Sequence, residues 1–285
     1  MLIDTFAPDW QDHLIKHQSE LAAGRRLFLL LDGAFVPNLY REVQKALTVP
    51  DDVALLFEQL PGCTDNTRSV SPFLVPYSGA SFLMTLALKK CGGWPMVSAI
   101  ETTETMSELN KRLAAWCVIE NDGQRFNFRF PDTRRLPVMF DSLSAAQRSS
   151  LAGPAVRWSY IGRSGAWNEL PISPGTGDVA DEPTLDDQQF AVIFRDSEVD
   201  ETIVLLRDRG PLPRQLLSDI YANVEAALRV ATLAKLEQDL HLDWCMHCLH
   251  NAVPSGEKGG INAALAWRET RFSNIRNDDE NNEPF

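Results

Sequence analysis

Arg26 to Asp32, RLFLLLD, is a continuous apolar run that stops at Asp-Gly. It has no polar alternation, which is the pattern of a strand buried in a core. Further strand candidates follow: VALLFE (Val53 to Glu58), PFLVPY (Pro72 to Tyr77) and PMVSAIE (Pro95 to Glu101). Helical patterns separate them. Asp9 is placed to cap a helix through about Ala23, with Leu14 and Leu21 inward and Gly24 as its stop. A second helix runs from about Asn38 to Leu47, and a third from a cap at Ser78 to about Lys90. Ser107 to Val118 is amphipathic, with Leu109, Leu113 and Trp116 on one face. QRFNFRF (Gln124 to Phe130) alternates with period two after the turn Asn121-Asp122-Gly123. Strands alternating with helices predict an α/β N-terminal lobe built on a mixed sheet.

The pattern changes at residues 171–183. PISPGTGDVADEP holds three prolines and two glycines and has no apolar periodicity, so it reads as a linker. Beyond it, Leu185 to Leu206 and Leu216 to about His250 have helical periodicity, which predicts a mainly α-helical C-terminal lobe. The expected organisation is an α/β domain at 1–170, a linker at 171–183, a helical lobe at 184–275 and a disordered acidic tail at 276–285. At 285 residues the chain has room for one or two such domains. There is no internal repeat.

The net charge of −12 repels phosphate backbones and anionic lipid, so neither nucleic acid nor a membrane is an expected partner. No apolar run approaches the roughly 18 residues of a membrane span. MLIDTFAPDW lacks the basic start and apolar core of a signal peptide. Five cysteines, an odd and sparse set, fit a reducing cytoplasm better than a disulfide framework.

Motifs for chemistry are few. There is no P-loop, no GxGxxG after a strand and no GxSxG. Gly33 closes the first strand, and a lone Asp-Gly-Ala is a strand-ending turn rather than a phosphate cradle. All five histidines, His13, His17, His241, His247 and His250, lie near the chain ends, away from the strand ends where an α/β fold places catalysis. In HLDWCMHCLH, His241, Cys245 and Cys248 share a helical face and offer three candidate metal ligands. A fourth is lacking, and Trp244, Cys245, Cys248 and Leu249 read as core. FRFPDTRR (Phe128 to Arg135) gathers charge after a strand. Arg129 and Asp132 are expected to pair across a strand-to-helix corner, with Asp132 also capping the next helix. The alternative there is an anion site. No metal or cofactor is expected.

Five pieces in order resemble a known family. They are LFLLLDGA (Leu27 to Ala34), with Asp32 and Gly33; LLFE (Leu55 to Glu58); SPFLVPY (Ser71 to Tyr77), with Pro72 and Leu74; Trp94 to Leu136, with Arg129, Asp132 and Arg134; and GPAVRW, with Gly153, Pro154 and Trp158. Together they are similar to the effector adaptors of bacterial type VI secretion, the Tap/TEC type, domain of unknown function 4123. The resemblance covers about residues 27–158. Ser71 and Phe73 stand where the family usually has glycine and tryptophan, and Pro131 precedes Asp132 where the family more often has an aromatic residue. The resemblance implies a non-enzymatic cytoplasmic chaperone that binds a toxic effector and loads it onto the VgrG spike. Two other readings stand beside it. One is an α/β hydrolase or transferase with its site near Asp32, Arg129 and Asp132. The other is a zinc-stabilised interaction module on His241, Cys245 and Cys248.

Overall fold

The computed structural model describes residues 2–47, 52–79, 81–175, 183–251, 253 and 256–280. The chain divides into two compact units, Met1–Phe194 and Arg195–Phe285.

The first unit opens with α1 (Trp10–Ser19), β1 (Arg26–Leu31), α2 (Leu39–Ala46), β2 (Ala54–Leu55), α3 (Asp65–Ser69), β3 (Phe73–Pro76) and α4 (Phe82–Leu88). It continues with β4 (Val97–Thr102), α5 (Met106–Ala115), the hairpin β5 (Val118–Asn121) and β6 (Gln124–Asn127), α6 (Leu136–Ser142) and α7 (Ala145–Ala152). It closes on β7 (Arg157–Ile161) and β8 (Trp167–Glu169).

β1 lies inside a sheet of order β2-β3-β1-β4-β7-β8. Every ladder in that sheet is antiparallel, and the one parallel pairing among the described residues is the single bridge Glu120–Thr184. The apolar run of β1 now has its reason. Phe28 and Leu30 face a core formed with α5, α6 and α7, through Leu109, Leu113, Met139, Phe140 and Leu151. Leu27, Leu29 and Leu31 face a second core with α1, α2 and α4, through Leu14, Val43, Met84 and Leu88. Helices cover both faces of the strand, so neither register tolerates a polar residue.

Several local expectations shift. The strand expected over Val53 to Glu58 is confined to Ala54–Leu55. Ser81, not Ser78, caps α4: its Oγ accepts the Met84 N–H at 3.1 Å, while Gly79 at φ +121° holds the chain out of helix before it. Asp9 precedes α1 without a capping side-chain bond. The alternating QRFNFRF leaves its ladder at Asn127, because Phe128 N–H donates to Cys117 O and both Phe128 and Phe130 turn into the core. β5, β7 and β8 add strands that the sequence patterns do not announce.

Of the expected linker, residues 171–175 and 183 are described; Gly175 N–H donates to Gly153 O at 2.8 Å, and Pro183 O accepts Glu120 N–H at 3.0 Å. Residues 176–182 lie outside the described residues. α8 (Asp187–Arg209) begins in the first unit and continues into the second, which goes on with α9 (Leu217–Leu233), α10 (His241–His250) and α11 (Glu257–Glu280). α11 takes in residues 276–280 of the expected tail, since no glycine or proline interrupts helix propagation there. Residues 281–285 lie outside the described residues.

The single helix expected over 216–250 breaks after Leu233. Lys235 takes φ +54°, its N–H donates to Thr232 O, and Leu236 N–H reaches back to Ala231 O at 3.0 Å. That is a Schellman cap with lysine in the usual glycine position. α10 then packs on α9, with Trp244 Nε1 donating to Ala227 O at 3.1 Å. Gly260 lets α11 approach α9: a Cβ there would lie 2.8 Å from Val230 Cγ2. Among the described residues, no helix is long and apolar enough to cross a membrane.

Candidate functional site

Where β1 ends, Asp32 N–H donates to Met96 O at 3.0 Å and the chain turns at Gly33. A Cβ on Gly33 would stand 2.3 Å from the carbonyl oxygen of Ser71, so glycine is what lets the loop before β3 pass so close. Ser71 is not idle there. Its hydroxyl donates to Pro72 O at 2.7 Å and accepts Phe57 N–H at 3.0 Å, joining the entrance of β3 to the turn after β2.

The corner that follows β6 lies against this turn. The structure corrects the expected pair of Arg129 with Asp132. Arg129 Nη2 donates to Asp32 Oδ2 at 2.7 Å, linking the corner to the end of β1. Asp132 is held instead by Arg134, whose backbone N–H and Nε reach Oδ1 at 3.1 Å while Nη2 reaches Oδ2 at 2.7 Å. Asp132 therefore closes a turn on its own neighbour and does not cap α6, whose preceding residue is Arg135. The reason is spacing. Three residues after Arg129 the chain has already turned, and the buried Asp32 needs a cation more than the self-satisfied Asp132 does.

Thr133 fastens the corner to the sheet: its N–H donates to Pro95 O at 3.0 Å and its hydroxyl to Ile161 O at 2.6 Å. The guanidinium groups of Arg129 and Arg134 lie 5.3 and 5.8 Å from the centroid of Phe35, which stacks on Trp94. Burial pushes the Asp32 carboxyl above the ordinary aspartate range, against the charge and hydrogen bond of Arg129 and the N–H of Ala34. Beside it is a cavity of about 270 Å³ lined by Asp32, Phe57, Pro72, Cys117, Phe128 and Arg129 among others.

The remaining signature residues take two places. Leu74 on β3 and Trp158 on β7 are fully buried in the core shared with α5 to α7, where Phe130 meets Trp158 edge to face at 6.3 Å. Gly153, followed by Pro154, ends α7 at φ +56°, and a Cβ there would lie 2.4 Å from Arg112 Nε. Arg112 is the main residue the motif reading missed. It is buried on α5, its Nε and Nη2 fork onto Glu104 at 2.7 and 2.5 Å, and it donates to Leu151 O. The signal was present: Arg112 occupies the inward face defined by Leu109, Leu113 and Trp116. His17 is similar, one turn beyond Leu14 on α1. Its Nε2 meets Glu101 Oε2 at 2.9 Å, and Arg25 donates to the other oxygen at 2.8 Å.

In the second unit, Cys245 is fully buried beside Trp244 in the helical core, Cys248 is half-buried and His241 Nε2 is 3.2 Å from Leu236 O. Burial pushes both thiols up to about 12. A cavity of about 640 Å³ lies beside them, lined by Asn223, Ala227, Val230, Trp244, Cys248 and Gly260 among others. Among the described residues, no group of three or more His, Cys, Asp or Glu side chains is arranged to hold a metal ion.

In chemical terms, the corner is a set of satisfied charge pairs and tight backbone approaches that locks the end of the sheet. Asp32 sits at a small, mostly apolar cavity with both its oxygens engaged. No curated protein and no solved structure matches the chain. Residues 27–150, from β1 into α7, match the family model described as Domain of unknown function (DUF4123).

Proposed function

We propose that this chain is a cytoplasmic bacterial adaptor that binds a type VI secretion effector and loads it onto the VgrG spike, without catalysing a reaction. The observation that carries this reading is the ordered set of motifs over residues 27–158, overlapping the matched stretch 27–150. The roles of those residues support it. Gly33 and Gly153 allow backbone and side-chain packing, Leu74 and Trp158 are core, and Asp32, Arg129, Asp132 and Arg134 hold one another. These are the means of keeping a binding scaffold rigid rather than of activating a substrate.

The test is to tag the full chain, express it in its source cell and identify what co-purifies by mass spectrometry. Recovery of a toxin or a spike protein is the expected result. Recovery of neither, with the chain folded and its neighbours expressed, would reject the reading. An enzyme remains the second reading, favoured by one observation: a buried carboxyl with a raised pKa faces a cavity. Asp32→Asn separates the two. An adaptor keeps its partner when the variant stays folded, whereas an enzyme loses turnover of its substrate.

A further inference from the structure

α4 is apolar on both sides. Met84, Ala87 and Leu88 are buried in the core beneath it. On the other side Phe82, Leu83 and Leu86 remain 80, 53 and 51% exposed. These three are neighbours on one helical face, at positions i, i+1 and i+4. A water-facing ridge of a phenylalanine and two leucines marks an interaction surface rather than ordinary scattered exposure. Ile15 on α1, 45% exposed, lies one turn beyond Gln11, whose Nε2 donates to Thr85 O on α4 at 3.3 Å.

The surroundings of the ridge carry the opposite charge from the chain as a whole. Residues 39–47 and 81–91, which form α2, α4 and the turn after α4, contain Arg41, Lys45, Lys89 and Lys90 against the single acid Glu42. α1, which Gln11 joins to α4, adds the exposed pair of opposite charges Asp12 and Lys16. The chain's net charge is −12. Contacts place Lys45 and Lys90 at the two ends of the ridge. Ser81, which caps α4, donates to Ala46 O beside Lys45, and Lys90 at the far end bonds Glu42 at 2.7 Å. Lys45 and Lys89 are exposed.

We infer that α4 and its basic rim form a docking surface for a protein segment that presents an apolar ridge flanked by carboxylates. The apolar face supplies the contact area, and the bases choose the flanks. On a molecule this acidic, such a segment is repelled from most of the surface and attracted here. A symmetric pairing of two copies through α4 is disfavoured, because it would set lysines against lysines. The inference stands on exposure and charge at α4 and does not depend on the partner being an effector or a spike.

The experiment places a photo-crosslinking amino acid at Phe82 of the full chain in its source cell and sequences the captured peptide. The expected product is a segment of another protein with apolar residues at helical spacing and Asp or Glu on its flanks. Leu86→Glu and Lys89→Glu should each lower that capture at least tenfold with no change in melting temperature. In parallel, purified chain is sedimented with phosphatidylglycerol vesicles, where no binding is expected. Capture of a second copy of this chain, of a basic segment or of nothing would overturn the inference. Vesicle binding abolished by Leu86→Glu would overturn it in favour of a lipid surface.

Discussion

Gly153 and Gly33 are fixed by different physics. Gly153 needs a left-handed φ of +56° and the space that Arg112 fills, whereas Gly33 needs only the close passage of Ser71 O. Gly153→Ala is expected to cost about 2–4 kcal/mol, from backbone strain plus overpacking against a guanidinium that cannot leave Glu104. Gly33→Ala meets a backbone oxygen and is expected to cost at least as much; urea unfolding of both variants checks this. Arg112→Ala leaves Glu104 buried without its partner and should cost about 3–5 kcal/mol. Arg112→Met with Glu104→Gln should recover most of that loss, since no buried charge remains. Gly33, Gly153, Asp32, Arg129 and Asp132 could be picked out in the sequence as motif members, but Arg112, Glu104 and the true partners of these groups could not. Arg129 and Asp132 are three residues apart and suggested a local pair. The real partner of Arg129 is Asp32, 97 positions away, and only the fold brings them together.

At the scale of elements, α1 is tied to β4 by His17, Glu101 and Arg25. Burial pushes the Glu101 carboxyl up, but the hydrogen bonds and charges of Arg25 and His17 outweigh it and hold Glu101 below its ordinary value near 4.5. A carboxyl lowered on folding contributes stability above its unfolded value, and that stability is lost as pH falls through the folded value. Glu101→Gln should therefore flatten the fall in melting temperature below about pH 4.5. For α10, excess EDTA should leave the melting curve unmoved, because Trp244, Cys245 and Leu249 pack it without metal. Thiol labelling of the native protein should reach half-buried Cys63 before Cys91, Cys117 or Cys245, which are buried. Helices α1, α2 and α5 were legible because their inward residues recur at helical spacing. The end of α9 was not, because its left-handed cap is Lys235, and lysine carries no stop signal. β7 was not, because RWSYI is buried along nearly its whole length and mixes polar with apolar residues, so it shows no period, and β8 was not, because a three-residue edge strand is too short to show one.

For the whole molecule, an α/β unit followed by a helical one was readable from the change in periodicity near residue 180. The antiparallel order of the sheet was not, since pairing depends on contacts between strands far apart in sequence. On the function proposed above, the first unit is a rigid scaffold for binding, with its signature residues spent on holding its shape. The most direct measurement mixes the purified full chain with a purified type VI effector and a VgrG spike protein, the proposed partners, and follows complex formation by size-exclusion chromatography with light scattering. The expected result is a stoichiometric complex with at least one of them, retained by Asp32→Asn and lost by variants that unfold the corner. A folded chain that binds neither protein, or that turns over a small substrate in an Asp32-dependent way, would contradict it.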